Sequence, residues 1–257
     1  MLRHFWSSAP LNLPLAVALV LAAASARADQ RKFAFTYPAG TSAKGQVELE
    51  NTVTWTHRLG EDQKFDLFEF KHSVEIGITD HFQVELYPAS WTYDSDPGRA
   101  RYKESAVEAI YNLTNATTDL LGSALYLELA AGEKAFDMEG KLILQKNLGP
   151  VTIGYNAILE AEWEGERFGH FDTRNGAFSE TLGVGYELTK RFSVGAELVH
   201  ELALPDWRAS EPSVVYAGPN ASVRFSRGYI TVAGVFQLTD VKEEPKLQTR
   251  VIFGLSF

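Results

Sequence analysis

VTIGYNAILEAEW, residues 151–163, is the stretch whose reading decides the fold. One alternating set is Val151, Ile153, Tyr155, Ala157, Leu159, Ala161 and Trp163. The other is Thr152, Gly154, Asn156, Ile158, Glu160 and Glu162. Side chains two residues apart share a face only in a β-strand, so the period predicts a strand with one apolar and one mainly polar face. A soluble strand averages about five or six residues. This run is longer and suits a tilted strand of about 9–11 residues that crosses a bilayer. VELENTVTW (47–55) repeats the pattern, with Val47, Leu49, Asn51, Val53 and Trp55 opposed to Glu48, Glu50, Thr52 and Thr54; FQVEL (82–86) does so again.

Extended along the chain, the alternation predicts strands near 44–58, 65–79, 82–93, 102–114, 120–131, 138–148, 151–164, 177–188, 192–201, 212–225, 229–238 and 247–257. Short turns (79–81, 115–119, 149–150, 189–191, 226–228) alternate with longer polar segments (94–101, 132–137, 165–176, 202–211, 239–246). That rhythm is the outer-membrane barrel pattern, with the short turns on the periplasmic side. A soluble sandwich also alternates, but with shorter strands whose apolar faces meet in one core. The expected fold class is therefore all-β: a transmembrane antiparallel up-and-down β-barrel of about twelve strands over residues 44–257, with ten or fourteen as alternatives. A mean hydropathy of −0.14 does not oppose this, because alternation cancels in the average. Pro88 and Pro219 each remove a ladder donor and predict a bulge or bend.

Residues 1–28 read as a cleaved signal peptide. Arg3 precedes the apolar run Leu11 to Ala24, which is too short to span a bilayer, and Ala26-Arg27-Ala28 supplies the small-x-small cleavage pattern. Residues 29–43 then form an N-terminal segment that either hangs in the periplasm or tucks into the lumen. The chain has no cysteine, which excludes disulfides and thiolate metal sites. Its net charge is −9, and loss of Arg3 and Arg27 with the signal makes it −11. That argues against nucleic acid and against an anionic surface as an electrostatic partner.

The last strand alternates to its end, through Val251, Phe253, Leu255 and Phe257. A barrel requires this, because an unpaired edge in lipid costs several kcal/mol per backbone group. The ending resembles the signal that the barrel assembly machinery recognises, carried here by Phe253, Leu255 and Phe257. A second resemblance lies at residues 36–50, TYPAGTSAKGQVELE, running into Thr54-Trp55-Thr56, together with Glu139 to Lys146 (EGKLILQK). These residues resemble a family of uncharacterised single-domain bacterial outer-membrane barrels. The resemblance implies the outer membrane of a Gram-negative bacterium, with its lipids and lipopolysaccharide as surroundings, and implies no activity.

The inward phase carries Glu48, Glu50, Glu69, Glu75, Glu85, Glu104, Glu108, Glu128, Glu139, Glu160, Glu162, Glu187 and Glu197, against Lys71, Lys141, Arg224 and Arg250. Acidic rings select cations. The expected function is thus a passive pore for small solutes with a cation-favouring lumen. The alternatives are a filled, non-conducting structural or surface-recognition barrel and a lipid-acting enzyme. Neither cofactor nor metal site is expected, since no EF-hand-like spacing occurs. Catalysis is not expected either: His57, His72 and His200 take the lipid-facing phase, His81 and His170 fall in connections, and no serine accompanies the His170 to Gly176 string. Lys146 and Glu180 also take the lipid-facing phase, and strand ends are where such charge costs least.

Overall fold

The computed structural model describes residues 31–257 except 61, 62, 97, 209 and 210; the expected signal peptide, residues 1–28 with Ala26 and Ala28, lies outside the described residues. Twelve strands follow in order: β1 (Val47–Gly60), β2 (Gln63–Thr79), β3 (Phe82–Asp94), β4 (Arg99–Thr114), β5 (Gly122–Gly132), β6 (Ala135–Leu148), β7 (Val151–Arg167), β8 (His170–Thr189), β9 (Phe192–Pro205), β10 (Val214–Phe225), β11 (Gly228–Gln237) and β12 (Leu247–Ser256). Each pairs antiparallel with its sequence neighbours, and β1 pairs with β12 to close the barrel. Closure uses the terminal strand completely: Glu48 faces Ser256, and the Phe257 amide donates to the Val47 carbonyl at 2.8 Å.

Polarity is inverted relative to a soluble domain. Leu125, Leu159 and Tyr111 stay 51% exposed and Phe236 54%, whereas Glu108 and Asn156 are fully buried and Glu197 is 2% exposed. A water-soluble monomer does not carry an apolar band around its whole girth. A membrane barrel must.

Several strands run past their expected ends. The segment 165–176, expected as a loop, is a continuation of the β7–β8 hairpin, with Arg167 opposite His170. β4, β6 and β9 likewise extend into the polar segments. Beyond the bilayer both faces meet water, so pairing continues while the apolar alternation that announces it ends. At the other end, residues 44–46 form a turn and not strand: the Gly45 amide donates to the Gly77 carbonyl at 2.8 Å.

Pro88 does mark a bulge. Register shifts on both of its partners, between His72 and Val74 on β2 and between Tyr87 and Ser90 against β4. At Pro219 the register holds, with Pro219 opposite Ala196 on β9, but the ladder to β11 is interrupted: Ala217 pairs with Phe236 and Asn220 with Ala233, with no pair at Gly218 or Pro219 between them.

On the outer wall, polar groups find one another. His72 Nδ1 lies 2.8 Å from Asn51 Oδ1, and His57 Nδ1 contacts Asp66 beside the Trp55 indole. Glu180 sits in mid-strand, a correction to its expected place near a strand end, because β8 is longer than its alternation shows. It accepts from the Tyr155 hydroxyl at 2.5 Å and lies 3.3 Å from His200 Nδ1.

Candidate functional site

The N-terminal segment runs inside the barrel. Phe33, Ala34, Phe35, Thr36, Ala39 and Ser42 are buried, and the lumen wall supplies the hydrogen bonds that an isolated strand of chain lacks. Glu197 on β9 is the main clamp. Its carboxylate accepts from the Ala34, Phe35 and Thr36 amides at 2.7, 2.7 and 2.9 Å, and from the Asn220 side chain at 3.1 Å. Asn156 holds both sides of Tyr37, accepting from its amide at 2.7 Å and donating to its carbonyl at 3.1 Å. Gln145 accepts from Ala39 and Gln83 from Ser42, at 2.9 and 2.8 Å. Ion pairs Arg31–Glu50 (2.8 Å) and Lys32–Glu187 (2.6 Å) fix the start of the segment.

Two wall glycines make room. A Cβ on Gly154 would lie 3.0 Å from Thr36 Cγ2, and one on Gly183 would lie 2.8 Å from the Phe33 ring.

The segment divides the lumen. An inner cavity of about 600 Å³ opens among the short-turn residues Asp80, His81 and Asn115, and an outer cavity of about 280 Å³ lies on its other side. Arg31 and Tyr37 line both and form the partition. The Arg31 guanidinium lies 4.3 Å over the Tyr37 ring, and Lys141 Nζ lies 4.0 Å from both the Tyr37 and Tyr126 rings. Burial opposes charge on Arg31, but Glu50, Tyr37, Tyr229 and Glu85 together outweigh it and hold the guanidinium well above its usual range. Burial, reinforced by Glu108, pushes the Tyr37 phenol up, so it remains a donor.

The carboxylates are not scattered. Six successive register pairs join Glu48–Glu75, Glu75–Glu85, Glu85–Glu108, Glu108–Glu128, Glu128–Glu139 and Glu139–Glu160. One glutamate from each of β1 to β7 therefore stands directly opposite the next. Like charges so placed destabilise a sheet. Strands about 4.8 Å apart and tilted near 40° make such a row climb roughly 3 Å along the barrel axis per strand. Accordingly Glu48, Glu75, Glu85 and Glu108 line the inner cavity, and Glu128, Glu139 and Glu160 the outer.

Two of the upper rungs carry the protein's own ammonium groups: Lys141 is 2.8 Å from Glu139, and Lys71 is 3.9 Å from Glu128 and 4.0 Å from Glu104. Glu69 pairs with Lys103 at 2.8 Å, and Glu162 borders the outer cavity. Arg250 donates to Thr54 at 3.0 Å and lies over the Phe35 ring. Glu187 and Arg224 line neither cavity: Glu187 holds Lys32, and Arg224 donates to the Lys190 carbonyl at the short-turn end.

Alternation missed Lys103 and Asp137, which also line the outer cavity. The β3–β4 register steps from Ser90–Glu104 to Trp91–Tyr102, skipping Lys103 and turning it inward beside Glu104. Pro88 was the available signal. It also missed Arg31, Lys32 and Tyr37, whose segment has no periodicity.

A closed twelve-stranded barrel, apolar outside and carboxylate-lined within, has the fold of the outer-membrane β-barrel channels. Solved structures that share it include the following three. An outer membrane channel from Pseudomonas putida F1 is 14% identical, with a TM-score of 0.58 over 85% of this chain and 98% of that one. The NanC porin is 10% identical (TM-score 0.52, 80% and 98% covered). The KdgM porin, solved in complex with disordered oligogalacturonate, is 10% identical (TM-score 0.51, 82% and 98%). No protein-family model and no curated protein matches the chain.

Proposed function

We propose that this protein is a passive outer-membrane channel for small solutes that favours cations, with residues 31–42 as an occupant of its lumen. The observation that carries the reading is the inner wall. Around the outer cavity Glu50, Glu69, Glu104, Glu128, Asp137, Glu139, Glu160 and Glu162 stand against Arg31, Lys71, Lys103, Lys141 and Arg250, eight acids to five bases. An acid-rich lumen raises the local concentration of cations and lowers that of anions. The fold shared with porins supports passage, and the apolar outer band supports an outer-membrane location reached through the barrel assembly machinery by way of Phe253, Leu255 and Phe257. The resemblance to uncharacterised outer-membrane barrels gains a physical sense here: Thr36 to Ser42, part of the stretch that carries it, is the part lodged in the lumen.

Planar-bilayer recording in a KCl gradient tests the proposal. The expected reversal potential is on the cation side, moving toward zero in Glu160→Gln/Glu162→Gln. Conductance no greater than background, both in the full chain and in a Glu197→Gln chain whose segment is loosened, would end the channel reading.

A further inference from the structure

We propose that the inner cavity and its glutamate row bind linear aliphatic polyamines. This rests on the channel reading for its physiological sense but is a statement about binding. The lower rungs, Glu75, Glu85 and Glu108, line the cavity and form no ion pair among the described residues, in contrast to Glu128 and Glu139, which hold Lys71 and Lys141. Independently, Glu108 is fully buried and its Oε1 has no hydrogen-bond partner, while its Oε2 accepts from Tyr87 at 2.9 Å. A buried oxygen in that state carries a desolvation cost that a donor arriving through the cavity removes.

Ligand chemistry follows from spacing. Adjacent rungs are separated by the distance between strands, about 4.8 Å. Ammonium groups three carbons apart on an extended chain are separated by about 5 Å, from ordinary bond lengths. A linear polyamine therefore presents successive charges at the pitch of successive carboxylates, which neither a compact metal ion nor a single amine does. The residues above show the mode of binding. Lys141 places a primary ammonium against Glu139 and between the Tyr37 and Tyr126 rings, a carboxylate and cation–π site for the same functional group. Tyr37 and Tyr229 bring aromatic surface to the inner cavity as well. At about 600 Å³ the cavity accommodates a triamine.

The test is equilibrium titration of the full chain in detergent with spermidine, with tetramethylammonium and MgCl₂ as comparison cations. Saturable spermidine binding is expected, weakened about tenfold or more in Glu85→Gln/Glu108→Gln, as the loss of charge-assisted bonds implies. Glu162→Gln, at the outer cavity, should change it less than about twofold. Heat-modifiable gel migration reports whether each variant is folded, and Glu75→Gln alone serves where the double variant is not. Absence of saturable binding, equal loss in Glu162→Gln, or Mg²⁺ binding as tightly with the same residue dependence would each overturn the proposal. Binding without conduction sinks the channel reading alone; conduction without binding sinks this one alone.

Discussion

Replacing Glu197 by glutamine should free the N-terminal segment. The carboxylate takes three backbone amides at 2.7–2.9 Å, and hydrogen bonds to a charged group are worth about 1.5–3 kcal/mol each against about 1 for neutral ones. The glutamine amide keeps one acceptor oxygen. With that oxygen at the Oε2 position, the Ala34 amide loses its bond and the Phe35 and Thr36 bonds drop to neutral strength. The loss is about 3 kcal/mol, or roughly a hundredfold in the ratio of docked to released segment. Relief of the carboxylate's burial offsets part of this, so a ten- to hundredfold gain in release is the working expectation.

The chain's lack of cysteine makes the assay clean. Thr36 is fully buried and its Oγ1 has no hydrogen-bond partner, so Thr36→Cys removes no bond and installs a thiol that reports release. Its maleimide labelling should be slow in the parent and faster by that factor with Glu197→Gln. Glu187→Gln, which severs only the half-exposed Lys32 pair, should change the rate less than about threefold. Equal labelling rates with and without Glu197 would refute the clamp.

Two further outcomes follow from the same geometry. In Thr36→Cys/Gly154→Cys the new Cβ sits within disulfide reach of residue 36; oxidation should lower conductance and reductant should restore it, and equal conductance in both states would mean that solutes bypass the segment. On the outer wall, Asn51→Leu strips His72 of its 2.8 Å partner and should cost about 1–2 kcal/mol, whereas Asn51→Leu/His72→Leu should recover at least that much in urea unfolding from lipid vesicles; simple additivity of the two changes would show that the pair is not coupled.

How far the chain was legible depends on which side of a strand was being read. Val151 to Trp163 announced its own geometry, because each outward side chain must be apolar whatever its neighbours are. The same rule placed Glu108 and Glu197 inward. It failed at 165–176, where both faces meet water and β7 and β8 pair without apolar alternation. It failed at Lys103, turned inward by a bulge, and it was silent over Arg31 to Ser42, whose backbone is held by Glu197, Asn156, Gln145 and Gln83 from four different strands.

Phase, strand number and the acidic character of the interior are properties of single strands, and the amino-acid order alone determined them through the two-residue period. Register is a property of pairs, and only the closed barrel decided it. It put seven glutamates opposite one another in one climbing row, and it brought four distant side chains around a segment with no pattern of its own. Pairing energies between strands, and not the alternation within any one of them, choose which residues meet.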